Sequence, residues 1–314
     1  REKMEAAKNA SEPAGQILDA ALALQLGMIK PPAMFNFDDL LHDAQVPAVR
    51  HALTLLRPAH FPMLFPEVFL RNEPGFDVLI GNPPWEVVFD EPRFWARFSP
   101  GLMAKPVQQR DGIIAELRMA RPDLALQANR AREESDQIRL ILTRAYPLGK
   151  GDADLYKAFA WRMWRLTRKR GRIGVVLPKT AFSAVGLEEW RREVLQFGSL
   201  NNLTTLVNNG GWVFEGVHPQ YTIALASILK DSDVEVIELA GTYSSKDDYE
   251  HNLETPVIMK KATVLSLTSA ASIPMLSTQL AADVLTTMRR SPRLSDALGG
   301  TIRLESKPTC LSSI

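Results

Sequence analysis

The spacing of hydrophobic and polar residues changes along the first half of the chain. Up to about residue 60, alanine-rich stretches alternate with polar residues, which predicts a helical lead-in over residues 1–60. Phe76–Ile80 is then a short, mostly apolar run closed by Gly81, which is typical of a buried strand that ends in a tight turn. Residues 94–143 return to helical spacing with many charges, which predicts a helical insertion.

Predicted strands and helices alternate after residue 150. Acidic residues that can cap a helix, and a glycine that can end it, predict a helix over Asp154–Arg170. Its apolar stripe consists of Leu155, Ala158, Phe159 and Leu166. The other predicted elements are strands at Ile173–Leu177, Leu203–Asn208 and Tyr221–Leu229 and a helix at Leu187–Phe197. Because these strands are apolar on both faces, we predict an α/β fold with a largely parallel sheet covered on both sides.

Composition excludes several classes of protein. The 314 residues are 46% hydrophobic and 23% charged, which is typical of an ordered globular chain rather than a disordered one. A single cysteine and five scattered histidines indicate neither disulfides nor a metal site. The longest apolar runs are far shorter than the roughly 20 residues that a membrane-spanning helix needs. We therefore expect a cytoplasmic protein without a membrane segment or a bound metal.

The net charge of +1 conceals a basic segment. Between Arg139 and Arg172 there are ten basic and two acidic residues, so this segment carries a charge of +8. A local basic patch is a footprint for a polyanion, although a solvated helix face is the simpler alternative. In the predicted helix, Lys157, Trp161, Trp164 and Arg168 lie opposite the apolar stripe, where they could contact nucleic acid or pack beneath the insertion. The candidate DNA-binding residues are Lys150, Lys157, Arg168, Lys169 and Arg170.

The most informative residues are Asn82, Pro83, Pro84 and Trp85, directly after the first predicted strand. Ligands of open α/β sheets bind beyond the carboxyl ends of strands, so a site is expected here. The prolines stiffen the backbone and lack N–H donors, the Asn82 side chain adds an acceptor, and Trp85 offers a flat apolar face. The backbone carbonyls of this rigid segment can point outward as acceptors. Such a carbonyl and the Asn82 side chain, beside an aromatic ring, suit a planar heterocycle that bears an exocyclic amino group.

These residues resemble the catalytic motif of S-adenosylmethionine-dependent, adenine-specific DNA methyltransferases, as found in large restriction-modification and phage-defence methylases. Further similarity lies in Phe65–Phe69, Tyr146–Asp152 with Leu155 and Tyr156, Gly171–Pro178 and Val213–Val217. The resemblance covers roughly residues 60–300. It implies a Rossmann-like class I methyltransferase sheet, with the catalytic core at 61–240, the insertion at 94–143, and a linker and the start of a target-recognition region at 241–314.

The resemblance also implies roles for individual residues. The Asn82 side chain and the Pro83 carbonyl would accept hydrogen bonds from the amino group of a flipped adenine, on which Trp85 would stack. Asp77 would lie on the side of the cofactor, S-adenosylmethionine. Double-stranded DNA is the implied substrate, and a nuclease or an N-terminal methyltransferase half is an implied partner.

The chain departs from this family in one respect. The aromatic-x-Gly-x-Gly loop expected before residue 60 is absent, so the sheet should lack its first three strands and the chain should be a piece of a longer protein. We expect the isolated chain to be inactive. Two alternatives stay open: a non-catalytic DNA-binding fragment or split subunit, and methyl transfer to cytosine, RNA or a glutamine side chain.

Overall fold

The computed structural model describes residues 2–31, 36–85, 89–149, 151, 153–215, 221–253 and 255–289. The helices in this part of the chain are α1 (Glu2–Gln25), α2 (Phe37–Ala44), α3 (Pro47–Leu56), α4 (Phe61–Leu64), α5 (Pro66–Phe69), α6 (Glu91–Ala96), α7 (Val107–Ala120), α8 (Pro122–Ala145), α9 (Leu155–Leu166), α10 (Glu188–Phe197), α11 (Lys246–Asn252), α12 (Lys261–Leu267) and α13 (Gln279–Met288). The strands are β1 (Phe76–Gly81), β2 (Thr167–Pro178), β3 (Gly198–Val207), β4 (Thr222–Lys230), β5 (Val236–Tyr243) and β6 (Val257–Lys260).

The six described strands form one sheet in the order β1-β2-β4-β3-β5-β6. β1 pairs with β2 and β3 with β5 in parallel, whereas β4 and β6 are antiparallel to their neighbours. The α/β class is therefore confirmed, but the expectation of a largely parallel sheet was wrong. β4 runs antiparallel because no α-helix among the described residues joins it to β3, whereas a parallel connection needs a crossover, usually helical. β1, β2, β3 and β5 all end at one edge of the sheet, which we call the carboxyl edge; the opposite one is the amino edge.

Helices α9, α10 and α12 cover one face of the sheet. Trp161, Trp164 and Trp190 pack there with Ile173 and other apolar residues of the strands. On β2, residues 173, 175 and 177 are buried against these helices, while residues 172, 174 and 176 on the other face are more exposed. On that second face, Val176 and Leu225 pack against another apolar cluster, formed by Leu206, Ile223, Ala240 and Tyr243. The prediction that both faces are covered therefore holds only in part for the described residues.

Helix α9 is shorter than predicted, and it buries Ala158 and Leu166 of the predicted apolar stripe together with both tryptophans. It ends at Leu166, and Trp161 and Trp164 are buried whereas Phe159 of the predicted apolar stripe is exposed. The tryptophans face inward because each buries a large apolar area while its N–H finds an acceptor: the Pro147 carbonyl for Trp161 and Glu193 Oε1 for Trp164. They pack on the sheet and α10 rather than beneath the predicted insertion.

The basic residues that follow α9 belong to a strand. Between the pairs Phe76–Thr167 and Val78–Arg172, one β1 residue faces four residues of β2, so the segment 168–171 bulges outward. Gly171 is packed too closely for a side chain, because a Cβ atom there would lie 2.9 Å from the Phe76 carbonyl oxygen. The predicted helix thus gives way to an irregular strand because this segment fits tightly against the start of β1.

Two helical groups have apolar clusters of their own. Ala20, Ala23, Ile29, Ala44 and Leu53 form one cluster among α1–α3 and their connections. The helices α6–α8, which occupy the predicted insertion, form another around a Phe94–Trp95 pair. Their charged residues are partly structural, since the Glu91 carboxylate accepts hydrogen bonds from Arg118 and Arg132.

The sheet continues beyond the boundary predicted at residue 241. That position lies inside β5, and β6 pairs with β5 in the same sheet. The polar stretch that suggested a boundary contains α11, whose first turn is capped by the Ser245 side chain. Residues 290–314 of the predicted recognition region lie outside the described residues. Among the residues described, no helix is long and apolar enough to cross a membrane.

Candidate functional site

Four segments meet at the carboxyl edge of the sheet. Asn82–Trp85 follows β1, Lys179–Phe182 follows β2, Asn208–Gly211 follows β3, and Tyr221 precedes β4, which begins at this edge. In open α/β sheets the carboxyl ends of the strands are where ligands bind. The structure therefore brings the most informative sequence motif to the expected place.

Within the motif, buried and exposed residues alternate. Pro83 is buried and anchors the turn, while Asn82 and Pro84 are exposed. The Asn82 side chain makes no hydrogen bond with any residue that the structure describes, so its Oδ1 is available to a ligand. Neither proline has an N–H group that could compete for the adjacent carbonyl oxygens.

Trp85 is half-buried between two apolar clusters. Its ring lies 6.1 Å from that of Tyr221, at an interplanar angle of 43°. Its Nε1 atom is buried but has no acceptor among the described residues. A buried donor without an acceptor destabilises a protein by roughly 1–3 kcal/mol, and an acceptor from a ligand or a water molecule would relieve this penalty. The position of Trp85 is compatible with the stacking role that the resemblance implies and equally with packing in the core.

The Asn208 side chain makes several hydrogen bonds within the loop after β3. Asn208 is fully buried; its Nδ2 donates to the Phe214 carbonyl, and its Oδ1 accepts from the backbone N–H groups of Val213 and Phe214. The Asn208 backbone N–H donates to the Tyr221 carbonyl, at 3.1 Å. Asn208 therefore ties the loop to the start of β4, beside Trp85. Sequence reasoning missed this role, although two asparagines followed by two glycines at a strand end are a turn signal.

The loop after β2 is held by a buried arginine. The Arg191 guanidinium donates to the carbonyl oxygens of Ala181 and Ala184, both at 2.9 Å, and to those of Ala270 and Ala271 at 2.8 and 3.2 Å. Burial lowers the pKa of Arg191 to about 10. These bonds fasten residues 181–184 to residues 270–271, far away in sequence.

Gly149, before α9, and Tyr156, in the first turn of α9, pack near this loop. Gly149, whose φ is +62°, approaches Gly186 so closely that a Cβ atom would lie 2.8 Å from the Gly186 Cα. The Tyr156 hydroxyl is hydrogen-bonded to Thr180, and burial raises the pKa of Tyr156. The motif residues 146–149 and 156 are thus close to the carboxyl edge, whereas Lys150 and Asp152 lie outside the described residues.

Several other predicted site residues lie at the amino edge. The Asp77 carboxylate accepts hydrogen bonds from Arg168 and Arg71, which lower its pKa in that order. Asn82 lies five positions after Asp77, a distance of about 17 Å at the usual rise of a strand. A contact between Asp77 and a cofactor stays a prediction, and in this structure it would compete with two arginines.

The predicted DNA-binding residues differ in their exposure and in their partners. Lys157 is buried and its Nζ lies 3.8 Å from Asp154 Oδ2, so it cannot reach DNA in this conformation. Arg168 is engaged with Asp77 and with Glu73. Lys169 and Arg170 are exposed in the bulge of β2, at the amino edge. A DNA contact by these two residues stays a prediction.

The described residues do not fit S-adenosylmethionine by themselves. β1 has a neighbouring strand on one side only, so no crevice between strands opens beside Asn82 on its outer side. The acid in β1 is engaged at the opposite edge, and residues 1–60 contain no glycine-rich loop. Within the described part of the chain, no group of three or more histidine, cysteine, aspartate or glutamate residues could hold a metal ion.

No family model and no curated protein matches this chain in sequence. Among solved structures, it is similar to a modification subunit of a putative type I restriction enzyme from Vibrio vulnificus YJ016, with 13% identity and a TM-score of 0.33 over 45% of this chain and 34% of that one. It is also similar to the type I restriction-modification methyltransferase subunit from Streptococcus thermophilus, with 14% identity and a TM-score of 0.35 over 62% and 36%.

A third similar structure belongs to a type I restriction-modification system, with 12% identity and a TM-score of 0.38 over 69% of this chain and 43% of that one. The chain therefore spans less than half the length of each of these three proteins. At these identities and TM-scores the similarity assigns neither a family nor an activity.

Proposed function

We propose that this chain is the base-holding half of a DNA adenine methyltransferase from a restriction-modification or phage-defence system. The observation that carries the proposal is the placement of Asn82–Trp85 at the carboxyl end of β1, with the Asn82 side chain exposed and unbonded within the described residues. The reaction, methyl transfer to adenine, is inferred from the sequence resemblance. The residues of this chain provide the hydrogen-bond acceptors for the adenine amino group.

In this proposal the chain holds an amino group between two acceptors. Asn82 Oδ1 and the Pro83 carbonyl accept hydrogen bonds from the two N–H groups of the adenine amine. Because both hydrogens are held, the nitrogen lone pair is oriented out of the base plane, and charge that develops on the nitrogen is stabilised. Trp85 stacks on the base, and Asn208 fixes the neighbouring loop and Tyr221.

The methyl donor implied by the resemblance is S-adenosylmethionine, but the described residues do not form its site. The alternative of a split subunit therefore has an observation in its favour, namely the open outer side of β1. In both cases this chain contributes the base-holding groups, and another part of the protein or of its complex would bind the donor.

The test is to replace Asn82 by alanine in the complete reading frame that contains these residues. Host DNA from cells that express the protein is digested to nucleosides, and N6-methyladenine is measured by mass spectrometry. We expect the Asn82→Ala variant to lose methylation, whereas Asn72→Ala, an exposed asparagine before β1, should retain it. Retained N6-methyladenine in the Asn82 variant would overturn the proposal. So would N4-methylcytosine as the product, which is the outcome expected for the cytosine alternative.

A further inference from the structure

The four segments that meet at the carboxyl edge contain a single charged side chain, that of Lys179. The other residues of Asn82–Trp85, Lys179–Phe182 and Asn208–Gly211, together with Tyr221, are neutral. Lys179 is partly exposed, and its side chain forms no hydrogen bond or ion pair with any residue that the structure describes. Within the described part of the chain, this cation is therefore available to an anionic group of a substrate.

The register of the sheet places Lys179 farther out than Asn82. Gly81 pairs with Val175 in the parallel ladder between β1 and β2. Asn82 follows Gly81 by one residue, whereas Lys179 follows Val175 by four, so Lys179 lies about 10 Å farther along the strand direction at the usual rise of a strand. In a nucleotide, the amino group of adenine and the phosphate lie at opposite ends, separated by the rest of the base and the sugar. The acceptor Asn82 and the cation farther out are arranged in the same order.

The backbone that carries this lysine is anchored on two sides. Lys179–Phe182 forms a short 3-10 helix directly after β2. The Arg191 guanidinium donates to the Ala181 carbonyl, at 2.9 Å. The Tyr156 hydroxyl is hydrogen-bonded to the Thr180 side chain. Because the backbone is already fixed, binding an anion requires the ordering of one side chain only, which lowers the entropic cost of the contact.

The exposed cations that the sequence nominated for DNA do not take this place. Lys169 and Arg170 lie in the bulge at the amino edge. The regular part of β2 alone, Arg172–Pro178, is about 20 Å long at the usual rise of a strand. A phosphate attached to a nucleoside that is held at Asn82 lies outside the carboxyl edge, so these two cations do not reach it.

The chemistry of the proposed reaction also separates this cation from the reacting nitrogen. The adenine nitrogen gains positive charge as it attacks the methyl group, so an ammonium group beside it would raise the barrier. At a phosphate the same ammonium group would neutralise a negative charge and release a counterion, which favours binding. The cation of Lys179 should therefore change the KM for DNA rather than kcat.

We infer that Lys179 is a positioning residue that binds a phosphate group beside the extruded nucleotide and so holds the adenine within reach of Asn82. This inference rests on the proposed function, because it takes the target nucleotide to lie at Asn82–Trp85. The contact with the phosphate complements the acceptors of the site, which bind only the amino end of the nucleotide.

The experiment measures the binding of duplex DNA by the protein expressed from its complete reading frame. The target sequence is read from the modified bases of host DNA or, if none is modified, by selection of bound duplexes from a random pool. Lys179→Met should raise the Kd about ten-fold, because one hydrogen bond from a charged group is lost. It should also reduce the slope of log K against log salt concentration by about 0.7–0.9. Lys179→Arg should keep the slope of the wild type, and so should the control Lys260→Met, an exposed lysine at the amino edge.

Uncharged linkages in the DNA identify the phosphate. A methylphosphonate replaces, one at a time, the linkages on the 5′ and 3′ sides of the target base. We expect one of these substitutions to weaken binding by the wild type about ten-fold and to leave binding by Lys179→Met unchanged, because the charge pair is already lost there. Each comparison uses one folded variant with two substrates, so a structural effect of the substitution cancels. If the two losses multiply at both linkages, or if Lys179→Met changes neither Kd nor slope, the inference is overturned.

Kinetic measurements separate this inference from the proposed function. Lys179→Met should raise the KM for DNA and leave kcat within about two-fold of the wild type, whereas a fall in kcat with an unchanged KM would contradict the inference. If adenine is methylated but Lys179→Met binds like the wild type, the phosphate contact is wrong and the proposed function stands. If the methylphosphonate and Lys179→Met are coupled but adenine is not methylated, the phosphate contact stands and the proposed function is wrong.

Discussion

Replacement of Arg191 by methionine tests how strongly the loop after β2 is fastened. Arg191 is 1% exposed and donates hydrogen bonds to four backbone carbonyl oxygens. Methionine has a similar length and fills much of the same space, but it donates no hydrogen bond. The substitution therefore removes the donors while it leaves the packing of α10 nearly intact.

Two opposing free energies set the expected magnitude. Burial lowers the pKa of Arg191 from its ordinary value to about 10. At about 1.4 kcal/mol per pKa unit, this shift indicates that burying the charge destabilises the fold by about 3 kcal/mol, which methionine would relieve. Four hydrogen bonds from a charged group stabilise by about 6–12 kcal/mol in total, at roughly 1.5–3 kcal/mol each. The balance favours arginine, and partial relaxation of the loops leads us to expect a destabilisation of about 3–5 kcal/mol.

The assay is urea unfolding of the wild-type chain and the variants, followed by tryptophan fluorescence. Trp190, next to Arg191, is buried in the apolar cluster between the sheet and helices α9 and α10, so its fluorescence should report unfolding. Arg192→Met is the matched control, since Arg192 is more exposed and bonds to the Ser269 carbonyl; its effect should stay below about 1 kcal/mol, as is usual for surface substitutions. An Arg191→Met variant within 1 kcal/mol of the wild type, or one no less stable than Arg192→Met, would refute the reasoning.

Two further predictions concern Trp85 and Asp77. Trp85→Ala should raise the KM for DNA by roughly 5- to 150-fold, because stacking on a base contributes about 1–3 kcal/mol. Trp85→Phe keeps an aromatic face and should lose only a few-fold; equal KM values for the two variants would argue against stacking. For Asp77, Arg168 and then Arg71 hold the pKa below 3.8, so its ion pairs stabilise the fold above that pH and are lost as the pH falls through the folded-state pKa. Urea midpoints of Asp77→Asn should therefore lie below those of the wild type at pH 7 and pH 5 and converge with them below pH 3.8, whereas a constant difference would show that the charge is not responsible.

The sequence predicted the site region better than the surfaces around it. Asn82–Trp85 could be placed because two prolines after an apolar strand have few other arrangements, and the structure puts this segment at the carboxyl edge. β1 and β2 were also predicted, although β2 begins six residues earlier than expected. These elements are specified by local patterns of apolar residues and turn residues.

The faces of α9 could not be predicted because two patterns compete in it. Ala158 and Leu166 of the predicted stripe are buried, but Phe159 is exposed, and the larger Trp161 and Trp164 pack on the sheet. Lys157 is also buried, although the sequence analysis named it as a candidate DNA-binding residue. Arg191 was missed for another reason, since its acceptors at residues 270 and 271 come close only in the folded chain.

The hydrogen bonds between residues 270–273 and the loop after β2 limit how far this protein can be truncated. Besides the Arg191 bonds, the Ile273 N–H donates to the Phe182 carbonyl and Ser272 Oγ donates to the Ser183 carbonyl. A fragment that stopped before residue 270 would leave the Phe182 and Ser183 carbonyls without these donors and the buried Arg191 guanidinium with only two of its four acceptors, although the whole motif after β1 would still be present. The smallest stable unit that carries the site must therefore extend at least to Ile273, and a recognition region joined beyond that point would be mechanically linked to the loop beside the base.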